Sequence, residues 1–158
     1  MRGVGVNEEN IPVKRFLALF FAVTSAVASP VYNTVNPVPL PTGQNVVVWQ
    51  AETPTPGNGT TAASQQVSLL STPNRNGSPF SVDGKFSGAP GAFEVDVQVA
   101  GTDTDTNYQT CSNCNITTVD ATNNTFHLDA VLVNARYARL LMRSRTNSVS
   151  ITASFTGG

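Results

Sequence analysis

Few side chains in this sequence have the type and spacing to carry chemistry, and they fall in three places. Cys111 and Cys114 form a single Cys-Ser-Asn-Cys. A closed zinc site wants four ligands, and His127 is the only histidine available to join the two thiols. A dithiol redox centre wants its first cysteine at a helix N-terminus after a strand. This pair instead sits among Thr, Asn and Asp in a loop-like stretch. The plain reading is a local disulfide pinning a loop in an exported protein; in a reducing compartment the same residues are two thiols.

Asp103 and Asp105, with Asp120 and Asp129 further on, could offer oxygens to calcium. Calcium takes six to eight oxygens converging on one point, and two alternating aspartates do not define such a site. A solvated loop explains them as well. Arg136, Arg139, Arg143 and Arg145 crowd into one stretch near the C-terminus. On an extended strand Arg139 and Arg143 share a face with Tyr137 and Leu141, while Ala138, Leu140 and Met142 take the other. Tyr137, Arg139, Arg143 and the nearby Tyr108 therefore form a candidate surface for a glycan, an anionic polymer or a neighbouring subunit. The blander reading pairs these arginines with Glu94, Asp96 and other acids on adjacent strands.

Catalysis finds no set of residues. A nucleophile needs a base, and His127 lies in Phe126-His-Leu-Asp129 with strand-like periodicity, as an exposed or hydrogen-bonded strand residue. No spacing singles out a carboxylate pair for acid and base roles. No enzyme, cofactor or metal is expected. Asn58, Asn76, Asn115 and Asn123 open N-glycosylation patterns that matter only in a eukaryotic secretory pathway.

The elements that position these residues read as strands. Residues 93–99 (FEVDVQV) alternate without a fault, which puts Phe93, Val95, Val97 and Val99 on a buried face and Glu94, Asp96 and Gln98 in water. Val46 to Trp49 form a short first strand, with Trp49 packing on the core. Further strands are expected at 66–71, 80–86, 108–110, 116–119 and 125–133. Residues 136–145 and 149–155 read as a hairpin closed by Thr146-Asn-Ser. Ser87-Gly-Ala-Pro-Gly91 is a turn. Strands at this rate point to an all-β fold, a single antiparallel β-sandwich of jelly-roll type.

Three segments follow along the chain. Residues 1–28 are signal-peptide-like: Lys14 and Arg15 precede an apolar run over 16–28 too short to span a bilayer, and Ala26-Val-Ala28 suits cleavage before Ser29. Glu8 and Glu9 do not fit a positively charged leader. A start at Val13, with the two glutamates encoded as a ribosome-binding sequence, would account for them. Residues 29–64 form a Pro/Thr/Gly-rich arm carrying one short strand, with 52–63 a linker or long loop, and residues 65–158 form the sandwich.

Charged residues make up 12% of the chain, against roughly 25% in ordinary soluble domains. Neutral polar surface of this kind suits an extracellular or particle-bound protein. The formal net charge of −1 provides no bulk attraction for nucleic acid or anionic membrane. Removing residues 1–28 takes Arg2, Lys14, Arg15, Glu8 and Glu9 from the nine basic and ten acidic residues, leaving six against eight.

Phe80-Ser-Val-Asp-Gly-Lys-Phe86, residues 91–100 (GAFEVDVQVA), Thr122-Asn-Asn-Thr-Phe126 and residues 135–142 (ARYARLLM) together resemble small β-sandwich virion proteins of tailed bacteriophages, of the decoration, head-fibre or tail-accessory kind. Pro30-Val-Tyr-Asn33 and residues 39–44 (PLPTGQ) are similar to the N-terminal arms of such proteins. The aromatic-x-Arg strand also resembles discoidin-like carbohydrate-binding modules. The resemblance implies a displayed surface protein without turnover, held by other virion proteins or by its own copies, its arm at 31–40 buried on assembly. A signal peptide and an oxidised cysteine pair depart from the phage pattern. The alternative is a secreted carbohydrate-binding or adhesion module, with Trp49, Tyr108 and Tyr137 as stacking candidates. A secreted hydrolase ranks behind both.

Overall fold

The computed structural model describes residues 37–69 and 78–158. The signal-like segment, the arm up to residue 36, and Asn76 lie outside them. Among the described residues nine strands form: β1 (Val38–Pro39), β2 (Asn45–Glu52), β3 (Val67–Ser68), β4 (Ser78–Phe86), β5 (Phe93–Ala100), β6 (Gln109–Ile116), β7 (Thr125–Val133), β8 (Tyr137–Arg145) and β9 (Ile151–Gly157). They build two sheets, one of five strands in the order β1-β3-β8-β5-β6 and one of four in the order β2-β9-β4-β7. All pairings are antiparallel except β1 with β3. The expected β-sandwich is the fold.

The inner faces meet in one core. The four-stranded sheet contributes Val48, Trp49, Phe80, Val82, Phe86, Phe126, Ile151, Ala153 and Phe155, and the five-stranded sheet Val67, Phe93, Val95, Val97, Ile116, Ala138, Leu140 and Met142. Aromatic rings lock the layers. Phe86 meets Phe93 of the opposite sheet edge-on at 5.0 Å between centroids and Phe126 of its own sheet at 5.7 Å. Each such ring contributes about 1.5–3 kcal/mol by leaving water. Leu40, from the stretch expected to be an arm, is fully buried in the same core.

The expected hairpin of the last two strands is not formed. β8 lies between β3 and β5, and β9 between β2 and β4, so both flanks of each are taken and they stand in opposite sheets. The connection bonds elsewhere. Thr146 N–H donates to Ala92 O (2.9 Å) and Asn147 N–H to Pro90 O (3.0 Å) in the 87–92 turn. That turn is shaped by Gly91 at a left-handed φ of 70°. Among sequential strands, only β5 and β6 pair as neighbours; the other strand pairings join parts of the chain far apart in sequence.

β5 forms where expected, but its polar face is not in water. Asp96 and Gln98 are buried, because the 101–108 loop and the side chains of β6 and β8 cover that side. Val99 is only partly buried. The cysteines also differ from expectation. They lie inside β6 and not in a loop between two strands. Asp96 pairs with Asn115 and Gln98 with Thr110, so two steps along β5 match five along β6. The extra residues bulge out, with Asn113 at a left-handed φ of 61°, and the Cys111–Cys114 disulfide closes the bulge. Within 66–71, only Val67 and Ser68 of the described residues form strand. Residues 57–66 run along the same edge of β8, where Gly57 N–H donates to Met142 O and Ser64 N–H to Leu140 O.

Gly84 shows how closely the four-stranded sheet is packed. It pairs with Phe126 and Ala153 on its flanking strands, and a Cβ at this position would stand 2.0 Å from Phe126 Cζ. The ring occupies the space a side chain would need. Gly84→Ala is therefore expected to lower unfolding stability by about 1–3 kcal/mol, the usual cost of overpacking. Urea unfolding of Gly84→Ala, Phe126→Ala and the double variant checks this: the glycine substitution should cost little once the ring is gone.

Candidate functional site

The outer faces of the two sheets are polar and differ in kind. On the five-stranded sheet, alternation along β8 turns Ala138, Leu140 and Met142 into the core and Arg139, Leu141 and Arg143 outward. Gln98 of β5 stands opposite Arg139 on β8 and opposite Thr110 on β6, and Asp96 stands opposite Leu141 and Asn115. Arg139 is buried there. Its Nε donates to Gln98 Oε1 at 2.8 Å and its Nη1 to Asp105 Oδ1 at 2.6 Å. The guanidinium lies 4.2 Å from the centroid of the Tyr108 ring, a cation–π contact out of water. The Tyr108 hydroxyl donates to Asp103 Oδ1 at 2.8 Å, an oxygen shared with Gln66 Nε2 at 3.3 Å. Asp103 Oδ2 is buried without a partner among the described residues.

One step along the sheet, Arg143 Nε donates to Asp96 Oδ2 at 2.5 Å, and a second nitrogen reaches Asn58. Asp96 also accepts from Thr110 Oγ1 at 2.9 Å and from Asn115 Nδ2 at 2.7 Å. Burial pushes the Asp96 carboxyl up, but the hydrogen bonds from Arg143, Asn115 and Thr110 outweigh it and hold the group below its ordinary value. Thr110 and Asn115 flank the disulfide-closed bulge, so the bulge sets the positions from which both reach Asp96.

Of the residues expected to make a ligand surface, Arg139 and Tyr108 are brought together but buried. Arg143 lies on the same face, bound to Asp96 on the adjacent strand as the cross-strand reading expects, and Tyr137 is half-buried at the start of β8. Trp49, a stacking candidate, is 1% exposed in the core. Neither Trp49 nor Tyr108 presents a face to a sugar ring, because the sandwich interior takes one and the guanidinium the other.

The four-stranded sheet is open on its outer side. Asp83 of β4 stands between Ser154 of β9 and His127 of β7, and Lys85 between Thr152 and Thr125. With Thr118, Val119 and Asp120 as a side wall, these rows line a depression of about 660 Å³. His127 Nδ1 lies 2.7 Å from Asp83 Oδ1, and its Nε2 lies 3.2 Å from Asp129 Oδ1. The Asp83 hydrogen bond raises the histidine pKa above its ordinary value, and the charge of both carboxylates adds to the effect. Asp120 is held in its turn by Thr122 N–H at 2.9 Å and Asn123 Nδ2 at 2.7 Å. The histidine is exposed and hydrogen-bonded as expected. The depression was not legible, because its rows exist only once β4, β7 and β9 are in register. Alternation within Asp83-Gly-Lys85, Thr125-Phe-His127 and Thr152-Ala-Ser154 is the only trace in the sequence. No group of three or more metal-ligating side chains occurs among the described residues.

Comparison of the chain with known protein families, characterised proteins and solved structures finds no match.

Two predictions follow from these contacts. Arg139→Ala strips Asp105 and Gln98 of a partner and should cost about 2–4 kcal/mol, below the usual figure for a broken buried pair because Asp105 is partly exposed. Arg139→Lys should recover only part, since an ammonium has neither the fork nor the stacking plane; an unchanged urea midpoint for either would contradict the role. The pH dependence has two limbs. His127 has a raised folded-state pKa, so its contribution is complete below about 6.5 and is lost as pH rises through the folded value. Asp96 has a depressed one, so its contribution is complete above about 3.8 and is lost as pH falls through the folded value. Thermal stability should therefore be greatest in the weakly acidic range. The NMR titration midpoint of His127 should lie above 6.5 and drop in Asp83→Asn.

Proposed function

We propose that this chain is a non-enzymatic structural β-sandwich that displays a surface, most like the virion accessory proteins of tailed bacteriophages. The observation that carries this reading is the closure of the five-stranded face. Arg139 is held by Asp105 and the Tyr108 ring, and Arg143 by Asp96, which stiffens a plate and ties these charged groups to one another. His127 adds support, because both its ring nitrogens face carboxylates. A histidine serving a nucleophile would hold a hydroxyl or thiol on one of them.

A second reading, a secreted carbohydrate-binding or adhesion module, is favoured by the Cys111–Cys114 disulfide, which persists in oxidising compartments.

Density-gradient fractionation of the native source, with mass spectrometry of the N-terminal peptide, separates the two. The expected result is co-sedimentation with particles and retention of residues upstream of Ser29. A soluble protein in the medium beginning at Ser29 would overturn display on a virion and favour the secreted module.

A further inference from the structure

We propose that the depression on the outer face of the four-stranded sheet binds a neutral, polyhydroxylated polymer, a glycan chain laid across β9, β4 and β7. This goes beyond surface display: it holds whether the chain sits on a particle or free in solution.

The floor is a grid. Ser154, Asp83 and His127 form one row across the three strands and Thr152, Lys85 and Thr125 the next. Neighbours in a row are about 4.8 Å apart and the rows about 6.8 Å apart, twice the rise per residue. Donors and acceptors alternate over it. Asp83 accepts, Lys85 donates, and Thr125 can do both. The hydroxyl of Thr118 and the carboxylate of Asp120 stand along the side wall. Asp83, Lys85, Thr118, Asp120 and Thr152 are all exposed.

Part of the grid is already held in place. The Ser154 hydroxyl accepts from Asn45 Nδ2 at 2.9 Å, the Thr152 hydroxyl from Ala51 N–H at 3.0 Å, and Asp83 is tied to His127. Side chains fixed before binding lose less freedom when a ligand arrives. A vicinal diol is the group that both gives and takes hydrogen bonds at such short intervals. The depression is open, with polar side chains set in rows over its floor, which suits an extended chain better than a small molecule of the kind enclosed pockets take.

Charge removes the other ligand classes. Asp83, Asp120 and Asp129 repel a phosphate, a sulfate or a nucleic-acid backbone. Lys85, fixed in the middle of the floor, stands against a cation there, and no group of three or more metal-ligating side chains occurs among the described residues. An apolar protein partner would find carboxylates and an ammonium to desolvate at the centre of the patch. An uncharged polyol meets none of these penalties.

Affinity electrophoresis through gels containing dextran, galactomannan or xyloglucan, with heparin as the anionic control, tests the assignment. At least one neutral polysaccharide should retard the protein. Lys85→Ala/Thr125→Val should weaken that retardation roughly tenfold or more, the effect of losing two hydrogen bonds to the ligand. Thr106→Ala, in the 101–108 loop away from the depression, should leave it unchanged. An unfolding midpoint equal to the parent's would show that the double variant is folded. Retardation by no neutral polysaccharide, retardation by heparin alone, or a folded double variant retarded as strongly as the parent would each overturn the site. None of these outcomes bears on the density-gradient test of surface display.

Discussion

The contact of Phe86 and Phe126 with Phe93 is the constraint on which the rest of the sandwich depends. It joins strands from both sheets at the point where the chain crosses from β4 to β5, and it can form only if the sheets face each other with their apolar sides inward. Gly84 and Ala153 are small where Phe126 turns in, so the ring lies over backbone instead of displacing it. A close-packed interior of this sort responds to the volume of a single methyl group, and it therefore fixes the register of the strands that carry it.

Once the sheets are fixed, the two outer faces diverge. On the five-stranded side the β5–β6 connection folds back over the sheet. Its Asp103, Asp105 and Tyr108 meet Gln66 and Arg139, so the ionic groups of this face bind one another. Burying a guanidinium is tolerable only because Gln98, Asp105 and the Tyr108 ring all engage it. On the four-stranded side no comparable loop among the described residues covers Asp83, Lys85 and Thr152, and these side chains stay exposed while Ser154 beside them is buried. One sheet is thus braced by its polar side chains and the other presents them.

The disulfide belongs to the braced side. It closes a bulge in β6, and the residues on either side of that bulge hold the carboxylate that binds Arg143. Its structural consequence is local but specific, the placement of Thr110 and Asn115 relative to Asp96.

Residue types and their alternation were enough to establish the all-β class, the core side of β5 and β8 and the exposure of His127, since a period of two assigns each side chain to a face without reference to any partner. Trp49, read both as a core residue and as a stacking candidate, was decided only by the bulged pairing of β2 with β9, which buries it beside Val48. Alternation also assigned Asp96 and Gln98 to the outer face correctly, but outer did not mean wet. Whether an outer face meets water depends on which loop lies over it. The Thr146-Asn-Ser turn read as a hairpin because proximity in sequence is the simplest guess for pairing, yet β8 and β9 each had two better-placed neighbours. The grid of Asp83, Lys85, Thr125, His127, Thr152 and Ser154 lay beyond the sequence for the same reason: hydrogen-bonded register between strands distant along the chain arises from the packing of the whole core, and no local pattern of residues encodes it.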